Sequence, residues 1–379
     1  MKIDPHTRSL CKNIETPFLL FDLDIVRENF ISIKKRFPKS HIFYAVKANS
    51  HPRVLTLLDS MGSCFDIASK GELEKLISLG VSTSKISFGN TIKKNKDIQF
   101  AYKQGVKLFV ADSSMEVSKI AEHAPGTKIF IRIEMDAGDS DWPLSHKFGT
   151  SKEIAVKLLI QAKKLGLIPY GVSFHVGSQC YNPKRWPVAL EKCLYVFDKL
   201  KNENINLKMI NLGGGFPIQH TKPIPTLDEI TAEINQYLRN FDPVPQIFFE
   251  PGRSMVGNAG VMVSTIITER KYGRENWLFV DAGVFHGLME TIQDFRYELK
   301  TDRKSAHPVE YHLAGPSCDS LDIIYDNVIL PKTLTQNDRL YFLNTGAYTI
   351  EYSSNFNGFE IPKIYFKDEL TNKKKKKKK

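Results

Sequence analysis

KIFIRIEM at residues 128–135 and QIFFEP at 246–251 are the two stretches on which the architecture turns. Each places apolar side chains on both alternating faces of an extended chain. A strand with no polar face belongs in a parallel sheet covered on both sides. Working outward, six further runs share this character: His41–Ala48, Cys64–Ala68, Lys85–Asn90, Leu108–Asp112, Gly171–Gly177 and Lys208–Gly214. The two quoted runs extend over Lys128–Met135 and Gln246–Gly252. Between the runs lie helical patterns such as KGELEKLISLG (70–80), SMEVSKIAEHA (114–124), KEIAVKLLIQAKKLG (152–166) and LDEITAEINQYLRNF (227–241). The last two carry apolar residues three or four apart and end on Lys/Gly or Arg, as helix C-termini should. Eight strand–helix units in succession predict an α/β protein built on a (β/α)8 barrel. An open doubly wound sheet is the alternative, because periodicity does not report closure.

From about residue 255 the pattern changes. VMVSTIITERK, WLFVDAGVF, EYHLAG, RLYFLNTGAYT and PKIYFK are strand-like runs with turns between them and little helix, which predicts an antiparallel β domain. PFLLFDL (17–23) is a further strand-like run that joins either unit on this evidence. The 379 residues exceed what one ordinary core needs, so two units are natural.

At 42% hydrophobic and 25% charged residues, the chain is neither disordered nor collagen-like. Cys11, Cys64, Cys180, Cys193 and Cys318 form no CxxC and no zinc spacing, and suit a reducing compartment. No apolar run approaches the ~18 residues of a membrane span. The start, MKIDPHTRSLCKNIETP, is polar and proline-broken. A cytoplasmic protein with no metal and no membrane partner is expected. The formal charge of +11, from 53 basic and 42 acidic residues, invites a nucleic-acid reading. Seven of those lysines are the run Lys373–Lys379, and without them 46 basic residues face 42 acidic ones, a near-neutral +4. The basic character belongs to a tail, expected to be solvated and disordered, and no specific nucleic-acid partner is expected.

Barrels of this type carry catalytic groups at the C-terminal ends of their strands and in the loops that follow. The first run ends Tyr44-Ala45-Val46-Lys47-Ala48-Asn49, the second holds Asp66 and the fifth holds Arg132. The sixth ends Phe174-His175-Val176-Gly177-Ser178, the seventh Gly213-Gly214-Gly215, and the eighth Glu250-Pro251-Gly252-Arg253. Six strand ends thus bring polar or glycine residues to one mouth.

Each also has a plain structural reading. Lys47, on the face of Phe43 and Ala45, is either a lysine snorkelling at a strand end or a partly desolvated amine able to form an imine. His175 alone is more often a satisfied core histidine than a catalyst. Glu250 either pairs with Arg253 or faces a ring nitrogen and keeps it protonated. The glycines make a flexible turn, or leave N–H groups free to close on an anion with Arg253 as the matching cation. Neither GxGxxG nor GxxxxGK[ST] occurs. In Gly315-Pro316-Ser317-Cys318-Asp319-Ser320, Cys318 is a small buried residue beside a turn, or a thiol kept protonated by its acidic neighbour and able to donate to a substrate carbon.

FYAVKAN, FDIASKGEL, FHVGS, NLGGGFP, EPGR, GPSCDSLD and GAYT, in this order, resemble the fold-type III pyridoxal 5'-phosphate (PLP) dependent decarboxylases of ornithine, lysine, arginine and diaminopimelate. The likeness runs from about residue 17 to residue 366. It implies an alanine-racemase-like architecture with a PLP-binding barrel at 30–254 and a β domain at 255–370. It also implies that segment 1–29 joins the β domain, and it leaves a tail at 371–379. By resemblance, Lys47 carries the cofactor, His175 stacks on its ring, Glu250 pairs with the ring nitrogen, and Asp66 lies close by and supports Lys47. The phosphate falls to Ser178, Gly213, Gly214, Gly215, Arg253 and Tyr348, while Arg132 matches an active-site arginine. The family builds its sites at a homodimer interface, so Cys318, the proton donor, and Asp319 would reach into the partner's barrel.

Substrate choice turns on acidic residues. The Cys318-Asp319-Ser320 triplet resembles ornithine and lysine decarboxylases, where diaminopimelate enzymes usually read CES. Asp294 aligns roughly with a second carboxylate that binds the distal ammonium. L-Ornithine, giving putrescine for polyamine biosynthesis, is the expected substrate and L-lysine, giving cadaverine, the secondary one, since one methylene discriminates by only about 1–3 kcal/mol. Phe285, where eukaryotic ornithine enzymes have tyrosine, and Thr91, where proline is common, depart from the pattern. The alternatives are a diaminopimelate or carboxynorspermidine-type decarboxylase, a racemase of related barrel type, and a non-catalytic regulatory homologue.

Overall fold

The computed structural model describes the chain except Ala137, Asp139, Pro143–His146 and Lys378–Lys379, and it describes the backbone alone for Lys373–Lys377. The chain forms two compact units, one of Asn29–Pro217 with Ile224–Met255 and the other of Met1–Glu28, Ile218–Pro223 and Val256–Lys379.

After strand β1 (Phe18–Phe21), which belongs to the second unit, come β2 (His41–Ala45), β3 (Cys64–Ile67), β4 (Ile86–Phe88), β5 (Leu108–Ala111) and β6 (Lys128–Arg132). The strands β7 (Ser140–Trp142), β8 (Ile168–Ser173), β9 (Ser178–Cys180), β10 (Met209–Asn211) and β11 (Gln246–Phe249) follow. Eight of them close into a parallel barrel in the order β10-β11-β2-β3-β4-β5-β6-β8, which decides against the open sheet. Phe43, Val110, Phe130, Met209 and Phe248 fill the interior, with the Phe43 and Phe248 rings stacked 4.8 Å apart. Buried faces of the intervening helices, such as Leu73 and Leu76, Val117 and Ile120, Leu158 and Leu159, explain why the strands are apolar on both sides.

Side-chain caps start these helices. Ser69, Ser113 and Ser151 each accept a hydrogen bond from a backbone N–H in the first turn, and Thr226 with Glu229 forms a capping box. The strands are shorter than the sequence runs. The run Lys208–Gly214 is strand only over Met209–Asn211, and Gly171–Gly177 is strand only to Ser173, so His175 and the glycines sit in loops. The three-residue strands β7 and β9 pair with each other outside the barrel and had no periodic signal of their own.

In the second unit, β12 (Gly260–Tyr272), β13 (Glu275–Val280), β14 (Leu299–Thr301), β15 (Pro308–Ala314), β16 (Ile323–Pro331), β17 (Arg339–Leu343) and β18 (Lys363–Phe366) form an eight-stranded sheet with β1. Pairing is antiparallel except between β1 and β18 and between β13 and β15. The early strand therefore belongs to the β unit, paired to β12 on one side and β18 on the other. Phe18, Leu20, Val261, Val263, Tyr341 and Leu343 share its core with Cys11 from the helix Pro5–Cys11. Ile218–Pro223, inside the 30–254 stretch, clusters with this unit. The last helix spans Lys367–Lys377, so the backbone of the expected tail is helical as far as it is described, and Lys378–Lys379 lie outside the described residues. Asp368 and Glu369 in its first turn complement the helix dipole.

Candidate active site

Side chains alternate along a strand, so the barrel interior fixes which residues face its mouth. Cys64, Phe130, Met209 and Phe248 pack in or against the interior cluster, and two residues on from each stand Asp66, Arg132, Asn211 and Glu250. Lys47 follows at the same parity four residues after Phe43, in the turn Val46–Ala48 that ends β2. Register supports the grouping: Ala45 pairs with Asp66, and both Arg132 and Asn211 pair with Ser173, two residues before His175. Five strands thus aim polar groups at one place.

Asp66 is 4% exposed, and its Oδ1 accepts no hydrogen bond among the described residues. Burial pushes its carboxyl well above the ordinary carboxylate range, and the Glu250 charge pushes the same way; Lys47 and Arg132 oppose. Burial likewise raises Glu250, against the pull of Lys47, a hydrogen bond from Asn211 and the Arg132 charge. Burial lowers Arg132 from its usual value, with Glu250, Asp112 and Asp66 acting the other way. His175 falls well below the usual histidine range, through burial first and then the nearby Arg132 and Lys47 charges. The Gly177 N–H donates to His175 Nδ1 at 3.0 Å, so the neutral ring carries its proton on Nε2. Lys47 is exposed in the single chain rather than desolvated, as a lysine one turn beyond a strand end can be.

The glycine loop lies alongside. Gly213 and Gly215 have φ of +64° and +94°, conformations that side chains rarely take. A Cβ on Gly214 would stand 2.7 Å from the Glu250 carbonyl oxygen and 3.2 Å from His175 Nε2, so only glycine lets the loop approach both. Arg253 is 4% exposed; its guanidinium lies 4.5 Å from the Trp142 ring centroid, and Nε donates to Ser178 Oγ at 3.4 Å. Trp142 and Asn211 are absent from the residues expected from sequence; no signal points to Trp142, whereas for Asn211 the two-residue parity rule suffices.

The remaining expected site residues belong to the β unit. Cys318 is exposed, and both its N–H and its Sγ contact Asn357 Oδ1, at 3.1 and 3.3 Å. Asp319 Oδ1 accepts from the Leu321 N–H at 2.8 Å. Their loop is clamped by buried Asp322, which accepts from the Ser317 and Val284 N–H groups at 2.9 and 2.7 Å. Asp294 is exposed with φ +58°, and Tyr348 has φ +57° with its ring 6.2 Å from that of Tyr352.

The barrel site fits PLP on its own chemistry. A collision-prone glycine loop beside a buried arginine and a serine hydroxyl matches a phosphate, Asp66 offers a buried oxygen without a partner, and Glu250 offers a carboxylate for a ring nitrogen.

Comparison with known proteins agrees. The pyridoxal-binding domain of pyridoxal-dependent decarboxylases matches residues 23–257. The lysine/ornithine decarboxylase of Selenomonas ruminantium is 33% identical over 97% of this chain and 93% of its own. The ornithine decarboxylase of Schizosaccharomyces pombe is 34% identical over 93% of this chain and 83% of its own. The crystal structure of SrLDC in complex with PLP and cadaverine superposes with a TM-score of 0.91 at 30% identity, covering 100% of this chain and 97% of that one. No helix among the described residues is long and apolar enough to cross a membrane. The chain belongs to the fold-type III pyridoxal-dependent decarboxylases and is of the ornithine/lysine kind.

Proposed function

We propose that this PLP-dependent decarboxylase acts on L-ornithine first and L-lysine second, releasing putrescine and cadaverine. The observation that carries the reading is the convergence of Lys47, Asp66, His175 and Glu250 on one barrel mouth beside the Gly213–Gly215 loop, in a chain one-third identical to a lysine/ornithine decarboxylase.

When bound, PLP supplies an electron-accepting ring that stabilises the charge left on Cα as CO2 departs. Lys47 supplies the attachment amine, and Asp66, within its electrostatic reach, orients it. Glu250 holds a proton at the ring nitrogen, while neutral His175 offers a flat uncharged face for stacking. The phosphate is assigned to Ser178, Gly213, Gly214, Gly215, Arg253 and Tyr348. Arg132 balances the two buried carboxylates. Cys318 gives a proton to Cα, and Asp319 and Asp294 hold the distal ammonium of the substrate. The exposed position of Cys318 in a single chain supports sites completed between two subunits, hence a homodimer. Five free cysteines accord with a reducing, cytoplasmic setting.

The test is release of labelled CO2 from carboxyl-labelled L-ornithine, L-lysine, L-arginine and diaminopimelate with PLP present. Release from ornithine and lysine, with the matching diamines formed, supports the proposal. Release from arginine or diaminopimelate alone overturns the substrate assignment, and a protein that stays colourless with PLP and releases nothing is a regulatory homologue.

A further inference from the structure

We infer that Asn211 is a positioning residue of this site, holding the Glu250 carboxylate in one orientation, tying it to the glycine loop and, by being uncharged, setting its ionisation. The inference rests on the pairing of Glu250 with the ring nitrogen proposed above.

Asn211 ends β10 and is 1% exposed. Its Nδ2 donates to Glu250 Oε1, and its Oδ1 accepts from the Gly213 N–H at 2.9 Å. The Glu250 N–H in turn donates to the Gly213 carbonyl at 2.8 Å, so Asn211, Glu250 and Gly213 form a closed ring of three bonds. The chemistry of the partners leaves the amide one orientation. A backbone N–H can only donate and an ionised carboxylate can only accept, so oxygen must face Gly213 and nitrogen must face Glu250. One side chain thereby fixes the group that faces the ring and the loop that faces the phosphate.

No other residue type of this shape does both. An aspartate would keep the volume and the bond from Gly213, but would set a second carboxylate against Glu250 and remove its donor. The charged groups facing Glu250 are Lys47 beyond β2, Asp66 on β3 and Arg132 on β6. Asp66 is already a like charge in this set. A third carboxylate would outnumber the two cations, and Glu250 or its neighbour would take up a proton. A protonated Glu250 cannot hold the ring nitrogen cationic.

The experiment compares holoenzyme of the wild type with Asn211→Asp, which changes charge at nearly constant shape, and Asn211→Ala, which removes both bonds. Three quantities are read: the pH midpoint of the cofactor's visible absorption band, the acid limb of kcat/KM for L-ornithine, and the PLP dissociation constant from equilibrium dialysis. In Asn211→Asp the two pH midpoints should move up by about one unit or more, with thermal melting near that of the wild type. In Asn211→Ala both should also rise, with PLP bound at least about tenfold more weakly, as expected for a lost hydrogen bond to a charged group. A merely structural asparagine would lower melting temperature and leave the midpoints in place. Unchanged midpoints in either folded variant overturn the inference, and Asn211→Ala supplies that reading if Asn211→Asp does not fold. Failure of the underlying function would show in the wild type itself, which would take up no PLP.

Discussion

His175 illustrates how one residue's surroundings choose its chemical state. Burial and two neighbouring cations hold it neutral, and a backbone N–H on Nδ1 fixes the tautomer. Its folded-state pKa lies below the value near 6.5 of an unfolded histidine, so the unfolded chain binds more protons as pH falls through that value. This contribution to stability is complete above about pH 6.5 and is lost below it. The wild type should therefore lose more urea resistance than His175→Gln between about pH 7.5 and pH 5.5, and equal losses would contradict the assignment. Asp319→Asn and Asp294→Asn should each raise KM for L-ornithine by about tenfold or more while leaving PLP absorption unchanged, since each removes a charge-assisted bond worth about 1.5–3 kcal/mol. A shift in the cofactor band with KM unaltered would place those carboxylates at the ring instead. Most of the barrel site was legible in the sequence because its members follow apolar strands directly: Lys47, Asp66, Arg132 and Glu250 close apolar runs. Asn211 was not read, because an asparagine before three glycines looks like turn chemistry until its strand parity with Met209 is noticed.

Among the elements, the segment after β4 carries a polar cluster that no motif announced. Lys93 is fully buried, 2.9 Å from Glu116 Oε1, and donates at 2.7 Å to the Asn90 and Val110 carbonyls. Lys119 reaches Glu116 Oε2 at 2.7 Å, so a helix, a strand end and a loop are joined at one carboxylate. Burial lowers the Lys93 pKa to about 8 despite Glu116. Lys93→Met strands two carbonyls and leaves Glu116 only Lys119; a loss of about 3 kcal/mol in urea unfolding is expected, partly recovered in Lys93→Met/Glu116→Leu. No loss in the single variant would mean the cluster contributes nothing net. In sequence, Lys93 and Glu116 sit 23 positions apart in unremarkable polar company, and only the barrel brings them together. Helices and long strands were readable from periodicity, whereas β7 and β9, of three residues each, are too short to show any.

For the whole molecule, the net charge of +11 loses its first meaning. Among the described residues, the barrel mouth sets buried Arg253 and the glycine loop where a cofactor phosphate is proposed to bind, and the residues proposed to select substrate are acidic. Closure of the barrel and the return of the first strand to pair with β12 and β18 both depend on contacts between distant segments: the count of eight strand–helix units favours closure with the open sheet as alternative, and the place of the first strand follows only from the resemblance. If two chains share each site, mixing Lys47→Ala with Cys318→Ala subunits should restore about a quarter of wild-type activity by random pairing. No recovery after verified subunit exchange would mean that one chain completes its own site. Borohydride reduction of the holoenzyme followed by peptide mass mapping reads out whether Lys47 holds PLP at this barrel mouth. Bleaching of the yellow band and a reduced pyridoxyl group on the peptide containing Lys47 are expected; a label on any other lysine, or none, would exclude Lys47 as the attachment residue.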